Sequence, residues 1–312
     1  MPCNHRGIRG DYVLSIIVPT YNEGDNVSFL AGRVKEVLKN TPYELIFVDD
    51  SRDNTTEKLA RLAERDPSVR YEHRGNERGL GTAVVRGFQL AGGEVLVVMD
   101  ADLQHPPEML RDMVRAADLG ADVVIASRFL PGGGDGGLGP LRKIVSFTAR
   151  WLGKAALRSL RRINDPTAGF FLVRKTAIQG VELRPLGWKI LVEILVRGRY
   201  ASVVEIPYEF KARVAGKSKM ATREQWNYLR HLFLLAREHP GERRFYASFL
   251  SALLGMSSSI LVYYLMVRIF GLPIIASDTI STLLATCGTF FLNNTLTWPD
   301  FRPGRGWTSL LQ

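Results

Sequence analysis

Three oxygen-bearing side chains close one apolar run: in residues 94–107, EVLVVMDADLQHPP, Asp100, Asp102 and Gln104 follow Val95, Leu96, Val97, Val98 and Met99. Two carboxylates one residue apart, with an amide oxygen just beyond, are hard ligands. They suit Mg²⁺ or Mn²⁺ holding a diphosphate better than Zn²⁺, which prefers Cys and His. The plainer reading is an Asp that caps the helix starting near Pro106 and Pro107. Two Asp and a Gln behind a fully apolar strand exceed what a cap needs. A buried strand ending in acid also puts these groups at the carboxyl edge of an α/β sheet, where open sheets bind ligands.

The elements that must hold this edge alternate at short spacing. Strand patterns at 12–20, 43–48, 69–73 and 122–127 flank the central one, with helices expected at 25–38, 55–65, 82–91 and 108–119. That order predicts a largely parallel, doubly wound sheet. Residues 131–140, PGGGDGGLGP, read as a linker or as a mobile lid beside the site. Residues 141–162 mix Ile144, Val145, Phe147, Trp151, Leu152 and Leu160 with seven Lys or Arg, the character of a helix lying in a membrane interface. A turn into a strand follows at 165–173, a helix at 188–197, a strand at 203–210, a cationic loop at 211–219 and an aromatic-rich helix at 223–236.

The character changes at Phe245. Residues 245–267 carry no charge and are long enough to cross a bilayer, and a second span is expected at about 276–298. We therefore expect a domain over 1–240 and a membrane hairpin over 241–312. Arg237, Arg243 and Arg244 precede the pair, and Arg302 and Arg305 follow it, so the positive-inside rule turns both ends toward the cytoplasm. The first twelve residues, MPCNHRGIRGDY, lack the apolar core of a signal peptide, which agrees with that orientation.

Composition narrows the partners. The chain has 312 residues, 46% hydrophobic and 23% charged, with a net charge of +10 and a pI near 9.7. A basic balance admits nucleic acid, anionic lipid or phosphorylated substrates. Nucleic acid is disfavoured, because basic and aromatic residues interleave only where membrane contact is already expected. Cys3 and Cys287 are the only cysteines and suggest neither a disulfide framework nor a thiolate metal site. Gly216-Lys217-Ser218 resembles the tail of a P-loop, but the glycine required five residues earlier is Lys211. Gly79, Gly81 and Gly87 do not have dinucleotide-fingerprint spacing.

Taken together, PTYNE (19–23), VDDS (48–51), RGLGTAVVRGF (78–88), MDADLQHPPE (99–108), SRF (127–129), DPTAGFF (165–171), GWKILVEILVRG (187–198) and GKSKM (216–220) resemble family 2 glycosyltransferases, within them the polyprenol-phosphate mannose synthases. The resemblance implies a GT-A fold that moves mannose from GDP-mannose to a polyprenyl (dolichyl) monophosphate, with inversion. It implies that Pro19, Tyr21, Glu23 and Asp49 cradle base and ribose, and that Asp100, Asp102 and Gln104 hold the metal on the diphosphate. Arg128, Arg142, Ser146 and Arg213 would gather the acceptor phosphate, with Lys219 near the donor phosphates. A UDP-glucose donor, or another UDP-sugar, stands as the alternative; a non-catalytic nucleotide-sugar-binding membrane subunit is the alternative of another class. A processive polysaccharide synthase is disfavoured, since no Gln-x-x-Arg-Trp is present. The chemistry agrees with the division of residues. A lipid monophosphate, with a second pKa near roughly 6, is already an anionic nucleophile and needs no general base.

Overall fold

The computed structural model describes residues 14–75, 77–136, 139–211 and 222–297. The chain divides into two compact units, Met1–Phe233 and Leu234–Gln312. In the first, one seven-stranded sheet runs in the order β3-β2-β1-β4-β6-β5-β7. Its strands are β1 (Leu14–Thr20), β2 (Tyr43–Asp49), β3 (Val69–His73), β4 (Val95–Val98), β5 (Val123–Ser127), β6 (Phe171–Arg174) and β7 (Val203–Pro207). Ile16, Ile17, Phe47, Leu96, Val97, Val124 and Ile125 have essentially no solvent exposure. Continuous apolar runs of this kind belong to strands covered on both faces.

The covering helices are α1 (Val27–Val37), α2 (Thr55–Arg65), α3 (Leu80–Leu90), α4 (Met109–Asp118), α5 (Pro140–Ala156), α6 (Lys175–Ile178), α7 (Ile190–Arg197) and α8 (Thr222–Glu238), the last of which runs on into the second unit. Strands β1 and β2 are parallel, as are β1 and β4, and β1 lies between them. The chain therefore winds outward from β1 in one direction to β3 and then crosses back to β4 on the other side. The crevice left at such a reversal, beyond the carboxyl ends of the strands, is the preferred ligand site of open α/β sheets. It opens between Tyr21, just after β1, and Asp100, just after β4.

Alternation of strand and helix predicted a mostly parallel sheet, and the sheet is mostly parallel. Strand β6 is the exception, antiparallel to both β4 and β5. After α5 and the short turn Arg158–Leu160, the chain comes back to the sheet at its carboxyl edge through residues 165–170 and has to run down it. Phe171 consequently faces Val98 on one side and Ile125 on the other.

Helix α3 lies close against β1 because its inner face is made of small residues. A Cβ added to Gly87 would stand 2.3 Å from Ile17 Cγ2, so it could be accommodated only if Ile17, the helix or the strand shifted. Gly32, within α1, has nothing within 4 Å of the corresponding position.

In the second unit, α9 (Pro240–Arg268) and α10 (Ile274–Leu292) pack together, joined through Gly271 at φ +65° and Pro273. Gly255 of α9 sits against Thr289 of α10. The two helical stretches, Pro240–Arg268 and Ile274–Thr295, contain 18-residue windows of mean hydropathy 1.7 and 1.4 and are long and apolar enough to cross a membrane. Helix α9 starts at Pro240, ahead of the expected 245, because proline is well suited to a first helical turn.

The two glycines make a matched pair of tests. Gly87→Ala is expected to destabilise the protein by about 1–3 kcal/mol through overpacking, whereas Gly32→Ala should stabilise it by up to about 1 kcal/mol. Denaturation midpoints in detergent check both; similar shifts for the two would refute the close α3–β1 approach.

Candidate active site

A cavity of about 970 Å³ occupies the crevice, large enough for a nucleotide sugar with room beyond it. Its walls come from three regions: the loops after β1 and β2, the acidic turn after β4, and a cationic end where the loops after β5 and before α7 meet α5 and α8.

On the first wall, Pro19, Tyr21 and Glu23 line the cavity. Their loop is fastened to the one after β2: Asn22 N–H donates to Ser51 Oγ (2.7 Å), Glu23 N–H to Thr55 Oγ1 (3.1 Å), and Arg52 N–H to Asn22 Oδ1 (2.9 Å). Asn22 adopts φ +53°, a left-handed conformation that Asn tolerates better than most residues. Arg78 lies over the Tyr21 ring, 5.4 Å from its centroid.

Asp49 does not line the cavity, contrary to the expectation that it would touch the nucleotide. It is fully buried beneath the wall, where its carboxylate accepts hydrogen bonds from Thr20, Ser51, Thr56 and His73. Burial alone would raise its pKa, but those hydrogen bonds prevail and hold it below the usual range. Its neighbour Asp50 takes the wall position, clamped by Arg74 Nε at 2.8 Å, Arg74 Nη2 at 2.6 Å and Gly79 N–H at 3.2 Å. Adjacent residues at a strand end point to opposite sides, so of these two neighbours one lines the cavity and the other is buried beneath it.

Asp100, Asp102, Gln104 and His105 all reach the second wall. The turn carrying them is tight: Leu103 sits at φ +61°, and Gln104 N–H donates to Asp102 Oδ1 at 3.1 Å. Gln104 Nε2 donates to the Lys211 carbonyl at 3.0 Å, which orients the amide. Two carboxylates and an amide oxygen are donors of the kind that a small hard divalent ion takes. Among the described residues, no group of three or more His, Cys, Asp or Glu offers a competing site. His105 is buried and stacked on Phe170, ring centroids 5.1 Å apart. Its Nδ1 accepts from the Asp100 N–H at 3.0 Å, so the ring is the neutral tautomer protonated at Nε2. Burial brings its pKa down to about 4.

At the cationic end, Arg128 donates to Asp165 through Nε (2.8 Å) and Nη2 (3.1 Å) and lies over the rings of Phe129 and Phe210. Burial works against the charge of Arg128, but Asp165 outweighs it and raises the pKa. Lys189 donates from Nζ to the Thr167 carbonyl at 2.9 Å; burial, assisted by Arg128, pulls its pKa down to about 8. Ser146, on α5, also lines the cavity, with its Oγ buried and without a hydrogen-bond partner. Arg142 is in the first turn of α5 by its backbone. Its side chain, together with the whole of Arg213 and Lys219, lies outside the described residues.

The cavity thus gathers Pro19, Tyr21, Glu23, Asp100, Asp102, Gln104, Arg128 and Ser146, and excludes Asp49. Asp50, Arg78, His105, Trp188 and Lys189 line it although sequence reasoning gave them no role. GWK (187–189) and QHPP (104–107) stood within singled-out motifs, but only the fold shows that they meet.

The family model "Glycosyl transferase family 2" matches residues 15–181. Over 300 residues, 96% of this chain and 85% of the relative, the sequence is 39% identical to a dolichol-phosphate mannosyltransferase of Pyrococcus furiosus. Over 216 residues, 66% of this chain and 80% of the relative, it is 36% identical to a polyprenol monophosphomannose synthase of Mycolicibacterium smegmatis. Among solved structures, glucosyl-3-phosphoglycerate synthase of Mycobacterium tuberculosis superposes with a TM-score of 0.56 at 18% identity, covering 73% of this chain and 79% of that one. That likeness is one of fold, and the sheet is of the GT-A kind.

The state of His105 can be checked directly. In metal-free protein its ring should titrate near pH 4, followed by NMR with His105→Asn for assignment. Because the folded state disfavours the charged ring, this group costs stability as pH falls from 6.5 toward 4, by on the order of 3 kcal/mol. Titration near 6.5 would mean that the ring is solvated.

Proposed function

We propose that this chain, which belongs to glycosyl transferase family 2, transfers mannose from GDP-mannose to the phosphate of a polyprenyl monophosphate, with inversion at the anomeric carbon. Membership makes it a glycosyltransferase, and the names of its relatives support mannose transfer to a polyprenyl phosphate. The observation that carries the reading is that one cavity holds an oxygen-donor cluster at Asp100, Asp102 and Gln104 and a cationic end at Arg128 and Lys189. The first suits a nucleoside diphosphate, and the second suits a phosphate acceptor.

In this reading Pro19, Tyr21 and Glu23 hold the base and ribose, with Asp50 on the same wall and Asp49 as the support beneath. Asp100, Asp102 and Gln104 would hold Mg²⁺ or Mn²⁺, which when bound supplies charge neutralisation to the departing diphosphate. Arg128, Arg142, Ser146 and Arg213 hold the acceptor phosphate so that one oxygen faces the anomeric carbon, and Lys219 stands by the donor phosphates. The bond from that oxygen to the anomeric carbon forms as the bond to the diphosphate breaks on the opposite side, which inverts configuration. A phosphate dianion supplies its own electron pair, so positioning and charge control are what the side chains contribute. This accords with His105, the one imidazole among the described lining residues, whose Nδ1 is already occupied by a backbone N–H.

Membrane association accords with the two long apolar helices and with exposed stripes on the helices beside the cavity. On α5, Ile144, Phe147 and Trp151 repeat at helical spacing, as do Trp226, Leu229 and Phe233 on α8, all exposed. A lipid-borne phosphate would be met at that surface, and the arginines flanking the hairpin orient the catalytic unit toward the cytoplasm.

Transfer in detergent of radiolabel from GDP-mannose, but not UDP-glucose, into a short polyprenyl phosphate is the expected result. Label from UDP-glucose alone would keep the mechanism and change the donor; label from neither, despite nucleotide and metal binding, would favour a non-catalytic subunit. Asp102→Ala should lower kcat/KM by on the order of 10²–10³-fold and abolish Mn²⁺-dependent nucleotide binding. Arg128→Ala should lower turnover with lipid phosphate by about 10²-fold while changing nucleotide Kd by no more than about twofold. Equal losses would move Arg128 to the donor side.

A further inference from the structure

We propose that Lys189 is a further phosphate ligand of the reaction site, contacting the attacking lipid phosphate alongside Arg128. The proposal rests on the transfer reading above and adds to it a residue with no role there.

The geometry begins in one turn. Residues 165–169 supply both the Asp165 carboxylate that clamps Arg128 and the Thr167 carbonyl that accepts from Lys189 Nζ at 2.9 Å. Two cations from distant parts of the chain are thereby fixed beside one another on the same cavity wall. Arg128 is matched by a bidentate carboxylate, but among the described residues no carboxylate oxygen lies within 4 Å of the Lys189 ammonium. The ammonium has three N–H donors, and the Thr167 carbonyl engages one. An amine held by a neutral carbonyl, next to a guanidinium and partly out of water, is costly unless an anion arrives.

Position selects which anion. Lys189 is tied to the Thr167 carbonyl in the same turn whose Asp165 clamps Arg128, the cation assigned to the acceptor, whereas the donor's diphosphate is assigned to Asp100, Asp102 and Gln104. The diphosphate has a divalent ion to neutralise it, whereas the acceptor monophosphate carries close to two negative charges and meets an arginine already paired with Asp165. A carboxylate-free ammonium beside Arg128 adds to the charge that the acceptor arginines bring to that phosphate. Sugar hydroxyls would accept from the same ammonium, but they are neutral and would leave its charge unmatched. Trp188, whose ring lies 5.7 Å from Nζ, and the unpartnered Ser146 Oγ line the same space.

The test uses the full chain in detergent, with Lys189→Met and Lys189→Arg beside wild type. Binding of a short polyprenyl monophosphate, measured calorimetrically without donor, should weaken by about 10–100-fold in Lys189→Met and recover to within about fivefold of wild type in Lys189→Arg. Mn²⁺-GDP binding should stay within about twofold of wild type, and the KM for lipid phosphate should rise in parallel with the lost affinity. Inorganic phosphate is the second probe: it should protect wild type against thermal unfolding more than it protects Lys189→Met. Should wild type transfer nothing to lipid phosphate, the transfer reading falls while the phosphate probe still judges the lysine. Equal weakening of GDP and lipid phosphate, or unchanged affinity of Lys189→Met for both phosphates, would overturn the proposal. If Lys189→Met melts far below wild type, Lys189→Gln in the same binding assays decides it.

Discussion

The buried pair of Arg128 and Asp165 fixes the cationic end of the cavity, and much else is arranged around it. A guanidinium taken out of water is tolerated only with a partner and a set geometry, and removing one member of a buried pair typically costs about 3–5 kcal/mol. Asp165 meets this need with both oxygens, and the rings of Phe129 and Phe210 cover the guanidinium. Asp165 is itself held from behind, since its N–H donates to Glu205 of β7 at 2.8 Å. The edge strand, the turn before β6 and the loop after β5 therefore meet at one charge, and the position of Arg128 is set by the sheet rather than by loop chance.

The opposite end is arranged on a different principle. There, the acidic turn that lines the cavity is ordered through backbone contacts. Asp102 accepts the Gln104 N–H, and the neutral His105 occupies the Asp100 N–H. A charged imidazole at that point would be an interior cation beside the acidic turn, and its lowered pKa keeps it from becoming one. The first wall uses a third device, in which the fully buried Asp49 gathers four side-chain donors while Asp50 faces the cavity against Arg74.

Much of this was legible in the sequence, for reasons that are themselves physical. The strand at 95–98 could be read because a fully buried strand must be continuously apolar, and the acids after it stood out by contrast. Asp49 and Asp50 could not be told apart, because strand register alone decides which of two neighbours faces inward. The antiparallel direction of β6 was equally hidden, since apolar patterning says how deeply a strand is buried and nothing about which way it runs. Lys189 was obscured because it heads a mostly apolar helix, α7, and its relation to Arg128 is a property of tertiary contact. Arg128 was expected at the acceptor phosphate, but its clamp, Asp165, was seen only as part of a motif.

The place of β6 between β4 and β5 bears on how the molecule comes into being. Strands β4 and β5 have no pairing with one another, so a nascent chain that has emerged only as far as β5 presents two apolar strand edges with nothing between them. Such edges invite association with other chains. When β6 inserts, it seals both edges at once, and the turn that leads into it brings Asp165 to Arg128 and the Thr167 carbonyl to Lys189. Sheet closure and the placing of Arg128 and Lys189 thus depend on one and the same short segment of chain.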